Sequence, residues 1–128
     1  MNIKELIKAA KEASESSYSP YSKYKVGAAL LTADGNIYTG TNVENASFPA
    51  SVCAERVAIF DAVTNKEYNF EACAIYAEGE NYPFPCGICR QVMSEFSKNM
   101  KVIVARNEHE YVVKTIAELL PDMFEFEK

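Results

Sequence analysis

Cysteine and glutamate positions carry the clearest chemical signal in this chain. Cys86 and Cys89 stand three apart in Pro85-Cys86-Gly87-Ile88-Cys89, at the predicted start of a helix, where both sulfurs lie on one face and can reach one metal ion. The positive end of that helix also favours their thiolate forms. Thioredoxin-like redox pairs use the same spacing, so this pair alone does not choose between zinc and disulfide chemistry. Cys53 tips the balance. It stands at another predicted helix start and is followed two residues later by a carboxylate, in Cys53-Ala54-Glu55-Arg56. Three protein ligands leave zinc one open position, where a water can be acidified to a pKa of roughly 7. Glu55 is then the candidate proton shuttle. Two further ligands are conceivable. Cys73 falls in an apolar strand and reads as a buried core residue, and His109, in the polar turn Arg106-Asn107-Glu108-His109-Glu110, reads as solvated. The expected metal set is Cys53, Cys86 and Cys89, with one Zn2+ per chain.

The elements that must position these residues follow from hydrophobic periodicity. Ile3, Leu6, Ile7, Ala10 and Ala13 recur at helical spacing among charged residues and predict an amphipathic helix over 3–13. A Ser-rich stretch with Pro20 breaks it. Strands are expected over 26–31 and 37–42, joined through Ala33-Asp34-Gly35-Asn36 as a hairpin. Helix 53–63, strand 72–77, helix 86–96, strands 102–105 and 111–113, and a short helix 115–120 stopped by Pro121 complete the pattern. Such alternation predicts a layered α/β domain with helices on both faces of a mixed sheet.

Composition narrows the classes. The chain has 128 residues, 48% hydrophobic and 24% charged, which is ordinary globular usage and fits one domain over 1–128. A formal net charge of -5 disfavours a nucleic-acid partner, because phosphate backbones are bound through Lys and Arg patches. With no apolar leader at Met1-Asn2-Ile3-Lys4-Glu5 and no bilayer-spanning run, a cytoplasmic protein without a membrane partner is expected. In a reducing compartment, cysteines serve metals, catalysis or cores more often than disulfides.

The pairing of Cys53-Ala54-Glu55 with Pro85-Cys86-Gly87-Ile88-Cys89 resembles the zinc-dependent nucleoside and nucleobase deaminases. The similarity to cytidine deaminases extends through 21–30, Asn42-Val43-Glu44-Asn45-Ala46, Cys86-Gly87-Ile88-Cys89-Arg90-Gln91 and Glu118-Leu119-Leu120-Pro121, nearly the whole chain. This resemblance implies a three-layer α/β/α sandwich around a five-stranded mixed sheet. It implies hydrolytic deamination of cytidine and 2′-deoxycytidine to uridine and 2′-deoxyuridine with release of ammonia, in pyrimidine salvage. Glu55 would carry protons between water, ring N3 and the departing amine. Asn42 and Glu44 match the family's sugar-hydroxyl binders, although by themselves they could simply end a strand. Tyr24, where the family usually has Phe, would line the nucleoside pocket together with Ala54. Arg56 matches a residue that hydrogen-bonds to the ligand sulfurs and offsets their charge. Arg90, its competitor for that role, could instead pair with a surface carboxylate.

Two departures from the family pattern stand out. Phe48 lacks the hydroxyl of the commoner Tyr, and Ile88 replaces a small residue and is expected to face the core. The C-terminal Leu119-Leu120-Pro121-Asp122-Met123-Phe124 is similar to the family segment whose aromatic enters a neighbouring subunit's pocket, so the resemblance implies a homotetramer with shared active sites. The competing expectation is that Phe124 and Phe126 cover their own domain's core. A blasticidin S-type deaminase shares the zinc motifs but differs at 42–46. A non-catalytic zinc module would close its metal with a fourth protein ligand, and a redox protein would cycle Cys86 and Cys89.

Overall fold

The computed structural model describes residues 1–127. In chain order the elements are α1 (Ile3–Ser14), β1 (Gly27–Thr32), β2 (Ile37–Thr41), a 3-10 turn (Phe48–Ala50), α2 (Ala54–Thr64), β3 (Phe70–Tyr76), α3 (Gly87–Phe96), β4 (Lys101–Ala105), β5 (Tyr111–Thr115) and α4 (Ile116–Leu119). Each expected helix and strand is present, with ends moved by one or two residues. The 3-10 turn, carrying Pro49, had no periodic signal. Small shifts matter at two ends: Cys53 and Cys86 are the N-caps of α2 and α3 rather than their first turns.

The strands form one mixed sheet in the order β2-β1-β3-β4-β5. Only β3 and β4 run parallel, and the crossover that parallel pairing demands is the segment containing α3. The period-2 alternation of the central strands sorts their side chains cleanly. Leu30, Cys73, Ile75, Val102 and Val104 face one way, toward Ala58, Ile59 and Ala62 of α2 and Cys89 and Met93 of α3. Ala29, Ala72, Ala74, Ile103 and Ala105 face the other way, toward Leu6, Ile7 and Ala10 of α1. Helices therefore cover both faces, and the fold is a three-layer α/β/α sandwich. Among the described residues no helix is long and apolar enough to cross a membrane.

Two glycines set how closely the outer layers approach. A Cβ on Gly27 would meet Ala10 O at 1.9 Å, so α1 rests its backbone directly on the start of β1. A Cβ on Gly40 would meet Ala54 O at 2.4 Å and Ala58 N at 2.6 Å. On the α2 side the match is made by Ala54, Ala58 and Ala62, an i, i+4, i+8 row of small side chains, all fully buried. The start of α2 is thus fixed against β2 by the absence of a side chain in the strand.

Gly40→Ala should therefore displace the Cys53–Glu55 turn and destabilise the protein by roughly 1–3 kcal/mol, the usual scale of overpacking. Gly87→Ala should not, because nothing lies within 4 Å of the added Cβ. Thermal melts of both variants check this, and equal melting temperatures would show that α2 can yield.

Candidate active site

The N-termini of α2 and α3 meet on one face of the sheet, and they bring three thiols together. Cys53 Sγ lies 3.8 Å from Cys86 Sγ, and the sulfurs of Cys53, Cys86 and Cys89 all lie within 4.8 Å of one another. Neither N-cap sulfur caps its own helix, so both are free to turn outward. Two sulfurs each about 2.3 Å from one tetrahedral zinc are about 3.8 Å apart, so the donor set fits the ion in type and spacing. Cys89 is buried, Cys53 half-buried and Cys86 exposed, which leaves the cluster open on one side.

The electrostatics favour the thiolate form of Cys53. Cys89 donates a hydrogen bond to Cys53 and, with help from Arg56, draws the Cys53 thiol down to about 5; Cys89 is raised in turn. Arg56 Nη2 lies 3.6 Å from Cys53 Sγ, and its Nε is buried with no partner. Glu55 is 4% exposed, and burial, with the charge of Cys53 adding to it, pushes its carboxyl up to about 7. A carboxyl poised there can both take and give a proton near neutral pH.

The open side faces a cleft of about 370 Å3. Cys53, Glu55 and Cys86 line it together with Tyr24, Asn42 and Glu44. Tyr24 is held above its usual range by burial and by the nearby charge of Glu55. Asn42 is locked in place: Nδ2 donates to Tyr24 O at 2.7 Å, while Oδ1 accepts from Val26 N at 3.0 Å and from the Ser17 hydroxyl. Glu44 Oε1 accepts from Tyr21 N at 3.0 Å and Ser22 N at 3.1 Å, and Oε2 accepts from the Ser22 hydroxyl. These bonds, led by that of Ser22, keep the Glu44 carboxyl below the usual carboxylate range and hence charged. Ala54 also lines the cleft, and its small side chain leaves room there.

Among the other positions, Ile88 departs from expectation, whereas Cys73 and His109 match it. Ile88 does not face the core but is 62% exposed, because α3 turns Cys89 and Met93 inward and the residue before Cys89 points away, beside the half-exposed Phe60. Among the described residues Arg90 pairs with no carboxylate: Nε donates to Pro85 O at 2.8 Å and Nη1 to Leu119 O at 2.7 Å. It ties the turn before Cys86 to the end of α4. Cys73 is buried in β3 and raised by burial, and His109 is exposed. Phe48 is 77% exposed, in edge contact with Tyr21. Phe124 and Phe126 are 65% and 80% exposed, so they do not cover their own core, and Phe124 is absent from the residues lining its own chain's cleft. Gln91 Nε2 holds the Phe124 carbonyl at 3.0 Å. The sequence reading passed over Phe84, which also lines the cleft. Its signal was an aromatic between two prolines immediately before the ligand pair.

Three clustered thiols, two of them lining a cleft, with a buried carboxyl beside them on an α/β/α sandwich, are the arrangement of a zinc-dependent hydrolase. Residues 1–106 match the profile of the cytidine and deoxycytidylate deaminase zinc-binding region. A cytidine deaminase of Sporosarcina psychrophila is 44% identical over 97% of this chain and 92% of its own, and one of Halalkalibacterium halodurans is 41% identical over 97% and 95%. The crystal structure of a cytidine deaminase from Burkholderia pseudomallei superposes with a TM-score of 0.93 at 43% identity, covering 97% of this chain and 100% of that one. The chain belongs to the cytidine and deoxycytidylate deaminase family.

Alanine at Cys53, Cys86 or Cys89 should abolish most zinc binding and lower stability, because a structural contribution of the metal is lost with any one ligand. Cys73→Ala should keep one zinc per chain. Metal analysis of the purified variants by plasma spectrometry checks both, and the reverse pattern would overturn the ligand set.

Proposed function

We propose that this chain catalyses the hydrolytic deamination of cytidine and 2′-deoxycytidine, giving uridine or 2′-deoxyuridine and ammonia, in cytoplasmic pyrimidine salvage. The observation that carries the reading is the buried Glu55 carboxyl beside three convergent thiols, at the floor of a cleft that also holds Asn42 and Glu44. The names of the curated relatives support the same substrate. We take residues 1–128 as one domain.

In this reading Cys53, Cys86 and Cys89 hold zinc, which when bound supplies an acidified water. Glu55 would accept a proton from the attacking water and deliver one to ring N3 as the water oxygen adds to C4. It then passes the remaining hydroxyl proton to the exocyclic amine, the C4–N bond breaks, and ammonia leaves. Water enters and ammonia departs, so the atoms balance. Arg56, beside Cys53, offsets the excess negative charge that three thiolates leave on a dication. Asn42 has both lone pairs of Oδ1 occupied, and its remaining Nδ2 hydrogen is available to a sugar hydroxyl. Glu44 keeps acceptor capacity on Oε2 for a second hydroxyl, and its charge opposes a phosphate at that end. Tyr24 and Ala54 complete the pocket around the nucleoside. A small-molecule nucleoside is thus the substrate, with no nucleic-acid or membrane partner.

The same reading takes the chain as a homotetramer, and what the single chain leaves exposed supports it. Phe60 and Ile88 border an apolar groove with Val92 and Phe96 on the outer face of α2 and α3. Phe124 is free to enter a neighbouring subunit's cleft, where its ring would pack on the base.

The decisive assay follows ultraviolet absorbance with cytidine, 2′-deoxycytidine, cytidine monophosphate and cytosine. Turnover of the two nucleosides is expected, with the monophosphate a poor substrate. Glu55→Gln should retain zinc and fold and lose turnover by a factor of roughly 10² to 10⁴; wild-type rates in that variant would remove Glu55 from the mechanism.

A mixing experiment checks the shared sites. Glu55→Gln and Phe124→Ala chains, each weak alone, should recover activity when refolded together, since some sites then unite an intact Glu55 with an intact Phe124 from another chain. No recovery in proven mixed oligomers would mean that each pocket is built from one chain.

A further inference from the structure

Phe84 takes no part in holding metal, moving protons or meeting sugar hydroxyls, yet it lines the same cleft and is 43% exposed. An aromatic ring facing water inside a binding cleft is stabilised when an apolar surface covers it. Its backbone is unusually constrained. Pro83 and Pro85 flank it, both buried, and fix their own φ angles. Phe84 N donates to Tyr82 O at 2.9 Å, closing a tight turn around Pro83. On one side the Tyr82 ring packs against the core and meets the Phe84 ring at 6.4 Å between centroids. The Arg106 guanidinium lies 5.2 Å from the centre of the Tyr82 ring and donates to Glu80 O at 2.6 Å, while Glu110 holds its far end. On the other side Arg90 holds the carbonyl of Pro85. The segment is therefore anchored before and after Phe84, and its ring is positioned before any ligand arrives. A group fixed in advance loses little conformational freedom on binding.

Location decides what that ring meets. Phe84 is two residues from Cys86, on the loop that carries the metal ligands, whereas Asn42 and Glu44 come from the segment after β2. Chemistry at C4 requires the pyrimidine to lie at the metal end of the cleft. Stacking on an aromatic face depends on the flat π-system of the base and not on the sugar.

We propose that Phe84 is a substrate-binding residue whose ring forms a wall against which the pyrimidine of the substrate packs. This rests on the deaminase reading above.

The test is steady-state kinetics of the wild type and of Phe84→Ala, Phe84→Leu and Phe84→Tyr with cytidine and 2′-deoxycytidine, alongside zinc content and oligomeric state. Phe84→Ala should raise KM for both nucleosides by roughly tenfold, the scale of one lost base–aromatic contact, with a much smaller change in kcat. Phe84→Leu should fall between, and Phe84→Tyr, which keeps the ring, should recover most of the lost KM. Zinc content and assembly should be unchanged throughout. A KM that does not move in Phe84→Ala or Phe84→Leu overturns the assignment. So does a rise confined to one of the two sugars, failure of Phe84→Tyr to recover, or a rise accompanied by loss of zinc or of the oligomer. Absence of turnover by the wild type itself would instead overturn the deaminase reading, and the role of Phe84 with it.

Discussion

Two helices whose starts are separated by a strand and two loops must begin at the same point in space, and the whole architecture serves that convergence. Cys53 occupies the N-cap position of α2 and Cys86 that of α3, with their sulfurs 3.8 Å apart. Each helix start is fixed by a different device. The α2 turn is pressed onto β2 through Gly40 and an alanine row, so its position depends on backbone contact rather than on adjustable side chains. The α3 turn is delivered by the one parallel connection in the sheet, at the carboxyl end of β3, and is secured there by Arg90. Rigid placement on helix ends suits a site that must gather three like-charged groups.

Gathering them creates an electrostatic burden that the surrounding residues answer in opposite ways. Burial and the nearby Cys53 raise Glu55 toward neutrality, while the guanidinium of Arg56 favours the thiolate form of Cys53. The buried, unpartnered Arg56 Nε shows how far a cation is drawn in to meet this cluster. One short stretch, 53–56, thus supplies a ligand, a titratable acid, a small residue lining the pocket and a counter-charge.

Much of this was legible in the sequence, and for physical reasons. Cysteines and a carboxylate at helix starts interrupt the apolar periodicity, so Cys53, Glu55, Cys86 and Cys89 stand out in the sequence. The sheet was legible because 26–31 and 72–77 are short continuous apolar runs, as expected of strands buried on both faces, with Leu30, Cys73 and Ile75 on one face and Ala29, Ala72 and Ala74 on the other. What could not be read was direction across a gap between elements. Ile88 looks like a core residue in one dimension and lies on the outside because Cys89, its neighbour, claims the inward face. Arg90 looks like half of a surface ion pair, yet it grips two carbonyls from segments 29 residues apart and five residues apart. Phe84 carries no periodic signal at all, since a proline-flanked residue belongs to neither a helix nor a strand pattern.

All four cysteines are free thiols, so no covalent bridge restrains this chain. An ion shared by Cys53 and Cys86 joins residues 33 apart and acts as a reversible cross-link. By chain-entropy reasoning, closing a loop of that length withdraws freedom from the unfolded state worth about 4 kcal/mol, comparable to a disulfide. Unlike a disulfide, this link is insensitive to the redox state of its surroundings only while the metal is held, and its strength varies with the concentration of free ion. An ion held by these thiols would therefore tie the stability of the fold to metal supply at the same point where it equips the site for chemistry.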